Sequence, residues 1–234
     1  MLDCISVENM RRSDAETIAK FVPSLELMHR AAVGVFRAAD WQGRIAIVVG
    51  SGNNGGDGFA LACILHKHQI NCAIFTVSQR LSADSAHYAA MAAELGVSIS
   101  PFSPSCLSRF NMVVDCLLGT GFQGTPRENY RTAIEAINAS GAQVISVDIN
   151  SGMNGDTGEG ELIVRSDLTV TIGFVKHGLV TPNAGRHIKR LICADIGIRL
   201  SQKETKICAN HEHHPNAISC PPWLDMDVIE VSGS

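Results

Sequence analysis

The sequence predicts a doubly wound, Rossmann-like α/β fold, with a mainly parallel sheet and helices on both faces. Two observations predict it. Short β-branched apolar runs alternate with segments of about a dozen residues in helical period, the grammar of βαβ units whose strands are buried on both faces. The first such run is also followed by Gly50, Gly52 and Gly55 in G-x-G-x-x-G spacing, the turn that joins a parallel strand to a helix.

The elements follow in order. Residues 6–21 and 24–40 carry helical periods; in the second, Leu25, Leu27, Met28, Ala31 and Val35 form the apolar stripe and Ser24 offers an N-cap. Residues 44–50 read as a buried strand and Gly56 to His68 as the helix behind it. Residues 70–77 form the next strand, and 82–96 a helix with Gly96 as C-cap. A third, longer strand spans 110–119, before a helix at 128–141 that glycine again closes. Strands at 142–149, 167–174 and 188–198 complete the sheet. From about Leu200 the period fails, so one domain is expected over 1–200 and a tail or linker over 201–234.

Composition narrows the partners. The net charge of −4, with no basic stripe, argues against nucleic acid and for a small molecule. No signal-like h-region opens the chain and no stretch approaches a membrane span, which points to the cytosol. Of the eight cysteines, Cys63, Cys72, Cys116 and Cys193 sit in apolar segments without a C-x-x-C pair, as buried thiols do. The sequon at Asn138 to Ser140 lacks a secretory context. Cys208, His211, His213, His214 and Cys220 fit no trusted zinc spacing, and a surface tail is the plainer reading.

In parallel sheets ligands bind beyond the carboxyl ends of the strands, which selects three loops. The first is "GSGNNGGDG", where glycines permit a sharp turn with positive φ and a helix N-terminus offers N–H groups to an anion, but where Asn53, Asn54 and Asp57 exceed what such a turn needs. The second is "VVDCLLGTGFQGTPR": Asp115 near a strand end, then glycines and threonine hydroxyls ahead of a helix, with Arg127 adding charge. The third is "ISVDINSG", with Asp148 and Ser151 at a strand tip, where a part-buried carboxylate can act as general acid or base. A capping or Asx-turn role is the competing reading of each acid taken alone.

Together, "GSGNNGGDGFALA", "VVDCLLGTGFQG", "VDINSG" and "GFVKHGL" resemble the YjeF N-terminal family, whose enzymatic members are NAD(P)H-hydrate epimerases, over roughly residues 5–200. The resemblance implies an isomerase of nicotinamide nucleotide repair. It would interconvert the R and S epimers of NADHX and NADPHX, hydrated at C6 of the nicotinamide ring, and an S-specific dehydratase would act next. It implies substrate contacts from Asn53, Asn54, Gly55, Gly56 and Asp57, from Gly119, Thr120, Gly121, Phe122, Gln123, Gly124 and Thr125, and from Asp148, the candidate catalytic group. Asn54, Asp115 and Ser151 resemble the ligands of a potassium ion, a set of hard oxygen donors. A homodimer is left open. Lys176 either assists or pairs with a carboxylate, or is a solvated lysine. Two departures stand out: Asn150 and His177 replace prolines frequent in the family.

Two rival readings remain at this stage. An NADP-dependent dehydrogenase would use Arg80, after the second strand, for the ribose, yet would leave Asn53, Asn54 and Asp57 without a role. A non-catalytic relative could use the fold as a binding scaffold, but would not need to keep Asp57, Asp115 and Asp148.

Overall fold

The computed structural model describes residues 2–207 and 225–231. Its elements in chain order are β1 (Leu2–Ile5), α1 (Val7–Lys20), α2 (Ser24–Ala38), β2 (Ile45–Val49), α3 (Asn53–Lys67), β3 (Cys72–Thr76), α4 (Ala83–Glu94) and β4 (Ser98–Pro101). Then come β5 (Met112–Cys116), α5 (Glu128–Ala139), β6 (Gln143–Val147), β7 (Leu168–Ile172), β8 (Val175–Lys176), β9 (Arg190–Asp195), β10 (Thr205–Ile207) and β11 (Asp225–Glu230). Eight strands pair in parallel in the order β11-β9-β7-β6-β5-β2-β3-β4. A small second sheet, β10-β1-β8, pairs β1 antiparallel to β10 and parallel to β8.

The central strands bury both faces, and alternate residues serve two cores. Ile45, Ile47 and Val49 of β2 pack with α2 and α3, whereas Ala46 and Val48 pack with Ala133, Ile134 and Ile137 of α5. A third core lies under the small sheet, where Cys4, Val175 and Ile207 meet Leu191 and Cys193 of β9. The chain leaves β2 for α3 on one face and β5 for α5 on the other, although β2 and β5 are neighbours. That divergence opens a crevice beyond their carboxyl ends, where a ligand can reach main-chain groups of both turns.

Several local expectations are corrected. Ser24 is the first residue of α2 rather than its cap; Pro23 takes the cap position without a side-chain bond. The helix after β2 starts at Asn53 instead of Gly56, so the asparagines of the glycine-rich turn belong to its first turn. Two strands, β10 and β11, fall in the segment read as a tail, and β1 and β4 were not foreseen. The His and Cys cluster from Cys208 to Cys220 lies outside the described residues. Asn138 of the sequon ties α5 to the loop before β7, donating to the Ile163 carbonyl at 2.9 Å and accepting from the Arg165 N–H at 2.8 Å.

Candidate functional site

The loops after β2, β5 and β6 converge because those strands are adjacent, and with α1 they line one open cavity of about 1240 Å³. Its walls include Asn53, Asn54 and Asp57 from α3, Gly119 to Gln123 and Thr125 from the loop after β5, and Asp148 from the end of β6. Gly55, Gly56, Gly124, Asp115 and Ser151 do not line it.

Glycine in the first turn serves close approach, not unusual dihedrals. None of Gly50, Gly52, Gly55, Gly56 and Gly58 has a positive φ, contrary to the expectation for this turn. A Cβ at Gly55 would stand 2.4 Å from the Gly50 carbonyl oxygen, and one at Gly56 would stand 2.5 Å from Met28 Cε. A side chain at 55 would push α3 off the main chain that follows β2, whereas one at 56 would have to displace the Met28 and Ser85 side chains. Gly52 caps α3 without a side-chain bond, so the first-turn N–H groups have no intrahelical acceptor and suit an anion.

Behind the cavity wall lies a polar cluster. Asp115 is fully buried; its Oδ1 accepts from Ser151 Oγ at 2.5 Å and the Leu117 N–H at 3.2 Å, its Oδ2 from Ser146 Oγ and the Ser151 N–H, both at 2.9 Å. Burial raises this carboxyl and the Ser151, Ser146 and Leu117 bonds act in the opposite sense. Asn54 donates from Nδ2 to the Leu118 carbonyl at 3.0 Å, and Ser151 Oγ lies 3.3 Å from that same oxygen. The Asn54 Oδ1 is buried and has no hydrogen-bond partner among the described residues. A buried amide oxygen without a donor costs on the order of 1–3 kcal/mol unless something else fills the role. Asn54, Asp115, Ser151 and the Leu118 carbonyl are thus a linked set of hard oxygen donors in which the Asn54 oxygen has no donor, a set whose chemistry suits an alkali or alkaline-earth cation rather than zinc.

Asp148 faces the cavity from a strained position. Its φ is +68°, one of two such non-glycine residues among those described. The left-handed region costs about 1–2 kcal/mol, less for Asp than for most residues. Main-chain bonds from the Asp148 N–H to the Val170 carbonyl at 2.8 Å and from the Ile149 N–H to the Val147 carbonyl at 2.9 Å close the turn. The side chain is held by Lys176, fully buried, whose Nζ donates to Asp148 Oδ1 at 2.5 Å, to the Ile172 carbonyl at 2.7 Å and to Thr171 Oγ1 at 3.0 Å. Lys176 is therefore the carboxylate's partner and not a solvated lysine. β1 seats it, pairing Ile5 with Lys176. The other oxygen, Oδ2, accepts from the Thr120 N–H at 3.2 Å, and a Cβ at Gly119 would stand 2.9 Å from it. Glycine at 119 is what lets the two loops touch.

Two more carboxyls share this end. Asp57 is pushed well up, by burial first, then by Asp148 and Asp14, against the pull of Lys176. Asp14 is raised by burial and then by Asp148. Neither Asp14 nor its neighbour Arg11 was singled out from sequence. Both lie on α1, where Arg11, Asp14 and Ile18 fall on one face at spacings of three and four and line the cavity. Charged residues beside Ile18 on that face were the available signal. Arg11 reaches across the mouth, its Nη2 donating to the Thr120 carbonyl at 2.6 Å.

The two departures from the family pattern have structural partners. Asn150 is fully buried; its Nδ2 donates to the Val164 carbonyl at 2.9 Å and to Ser166 Oγ at 3.0 Å, while Thr169 Oγ1 donates to its Oδ1 at 2.6 Å. The amide thus holds the loop after β6 to the start of β7. His177 lies 2.8 Å from Glu204 through Nε2 and 3.4 Å from Cys4 Sγ through Nδ1, while burial pushes the Cys4 thiol up to about 12. A thiol so raised is no nucleophile, and the trio ties β1, β8 and the residues before β10 together.

With the geometry established, comparison with known proteins bears directly on identity. A curated NAD(P)H-hydrate epimerase from Limosilactobacillus fermentum is 36% identical over 202 residues, covering 82% of this chain and 95% of the relative. One from Rhodopirellula baltica is 33% identical over 207 residues, covering 84% and 85%. A bifunctional NAD(P)H-hydrate repair enzyme from Pyrobaculum aerophilum is 37% identical over 191 residues, covering 76% of this chain but 38% of the longer relative. Among solved structures, that of a yeast protein superposes with a TM-score of 0.67 at 21% identity, covering 76% of this chain and 83% of that one, and shares the fold. The family described as YjeF-related protein N-terminus matches residues 24–178, so this chain belongs to the YjeF-related N-terminal family.

Proposed function

We propose that the cavity binds a hydrated nicotinamide nucleotide, NADHX or NADPHX, and that the chain is an isomerase interconverting its R and S epimers, with Asp148 giving and taking the proton. The observation that carries the assignment of Asp148 is its setting. It faces the cavity in a strained backbone position, paired to a buried lysine and next to two carboxyls that burial raises. Groups held so far from their ordinary state mark chemistry more often than packing.

At C6 the substrate carries a hydroxyl beside the ring nitrogen. As the Asp148 carboxylate takes the proton of that hydroxyl, the C6–N1 bond breaks to leave an aldehyde at C6 and the carboxyl passes the proton to N1. Re-closure by the reverse transfers onto the other face of the aldehyde gives the second epimer. Asp148 is placed to take and return the proton, a role worth about 10²–10⁴ in rate. Lys176 acts as a positioning residue, since its three acceptors fix the ammonium and hence the carboxylate. Burial disfavours the charged forms of Asp57 and Asp14 beside that carboxylate. The free N–H groups of the α3 first turn and of the loop after β5 would receive the phosphates. Met28, Leu27 and Ile172 give the ring an apolar wall.

A potassium ion would be held by Asn54, Asp115 and Ser151, where it would supply positive charge next to the phosphate-binding turns. The cytosol and an S-specific dehydratase complete the reading: the dehydratase consumes the S epimer and draws the R epimer through this enzyme. Among the described residues no helix is long and apolar enough to cross a membrane. The test supplies R-NADHX and the dehydratase and follows NADH recovery. Added chain should accelerate it; folded chain that gives no acceleration refutes the reading.

A further inference from the structure

We propose that the end of the cavity beyond β3 is a subsite for a second phosphate, carried on the adenosine ribose, so that the chain selects the 2′-phosphorylated substrate NADPHX over NADHX. The proposal rests on the epimerase reading for its substrate and on separate residues for its discrimination.

Where a dinucleotide lies across a parallel sheet, the strand that follows the first βα unit ends beside the adenosine ribose. That strand is β3 here. The chain leaves it through Val77, Ser78 and Gln79 to Arg80, all lining the cavity. Ser78 fixes the turn, its Oγ accepting from the Arg80 N–H at 3.1 Å and donating to the Arg80 carbonyl at 3.4 Å. Arg127 lines the same cavity from the start of α5. The two come to one end because Asn129, two residues after Arg127, donates from Nδ2 to the carbonyl of Val77, three residues before Arg80, at 3.0 Å. Neither guanidinium has an ion-pair or hydrogen-bond partner among the described residues.

The span is right for a dinucleotide. Asp148 ends β6 and Arg80 follows β3, with β5 and β2 between. Three inter-strand steps separate them by roughly 14 Å, which suits a nicotinamide ring at one end and an adenosine ribose at the other. Charge divides the cavity in the same sense: Asp14, Asp57 and Asp148 outnumber Arg11 and Lys176 at the first end, while two arginines face one carboxylate, Asp84 in the first turn of α4, at the second. An acid in this region favours a ribose 2′-hydroxyl and an arginine a 2′-phosphate. Arg80 sits four residues after the end of the strand and Asp84 eight, so the arginine is the nearer of the two, which favours the phosphate.

The experiment compares adenosine 2′,5′-bisphosphate with 5′-AMP by calorimetric titration, and NADPHX with NADHX by epimerase kcat/KM. A charge-assisted bond to a phosphate predicts the bisphosphate binding about tenfold to a hundredfold tighter, with NADPHX favoured in the same direction through KM. Arg80→Ala, and in combination Arg127→Ala, should bring the two nucleotides' affinities together. Equal affinities in the unaltered chain overturn the proposal, as does a difference that survives both substitutions, or tighter 5′-AMP, the result expected if Asp84 reads the ribose. Discrimination between the nucleotides without turnover of either epimer would leave the subsite standing and remove the epimerase reading.

Discussion

The Asp148–Lys176 pair gives a quantitative prediction. Lys176 is fully buried and the Asp148 side chain is 13% exposed, so this is a buried ion pair with one partner at a cavity wall. Lys176→Met would take away the ammonium and leave Oδ1 without its donor, while Oδ2 keeps the Thr120 N–H. Removing one partner of a buried pair costs about 3–5 kcal/mol; cavity water tempers this, so about 3 kcal/mol is expected. Asp148→Asn leaves a fully buried cation with neutral acceptors only, and should cost about 4 kcal/mol by the same rule. The double substitution removes both charges and should cost far less than the sum, giving a coupling on the order of 3–5 kcal/mol. Urea unfolding of the four proteins, read at constant m, measures it. Single costs that add to within about 0.5 kcal/mol would show that the pair does not hold Asp148, and the positioning role assigned to Lys176 would be wrong. Activity should stay lost in the double variant even where stability returns.

Other expectations are independent of that pair. Because the fold raises the Asp57 carboxyl, protonation stabilises the native state. That contribution is complete below the ordinary value of 3.8 and is lost as pH climbs through the raised native value. Relative to Asp57→Asn, the unaltered chain should therefore lose stability across that window and run parallel above it; parallel curves at every pH would contradict the raised carboxyl. Asn150→Ala should cost about 2 kcal/mol, since it strands the buried Val164 carbonyl and leaves Thr169 Oγ1 with Ser166 Oγ alone; unfolding within about 0.5 kcal/mol of the unaltered chain would show the amide to be idle. Potassium in place of a bulky organic cation should raise the Tm, and Asn54→Ala should abolish the rise; a rise that persists would move the cation away from Asn54.

Much of this arrangement was written in local patterns. The two-sided strands read as unbroken apolar runs, and their alternation with helices forced a parallel sheet whose strand tips carry Asp115, Asp148 and Ser151. What stayed hidden depended on tertiary partners. Two glycines in the first turn of α3 weaken a helix, so propensity placed its start at Gly56, whereas the helix begins at Asn53 and its close approach to the Gly50 main chain calls for glycine at 55. The positive φ expected of the glycines after β2 is found at Asp148 instead, whose partners Val170 and Lys176 come from later strands and leave no local signature. β1, β10 and β11 are short or polar and gain their identity only by pairing, yet β1 seats the lysine. Asn150, which stands where the family frequently has proline, is held by the hydroxyl of Thr169 and the carbonyl of Val164, residues that only the fold brings near.

The most direct test of the account follows one pure epimer of NADPHX by chiral chromatography with no dehydratase present, comparing the unaltered chain with Asp148→Asn. Both proteins should be checked for folding by circular dichroism and for retained nucleotide binding. The unaltered chain should return the epimer rapidly to its equilibrium mixture, and the variant should slow that approach by about a hundredfold or more. A folded, nucleotide-binding Asp148→Asn protein that equilibrates the epimers at the unaltered rate would contradict the claim that the proton passes through this carboxylate.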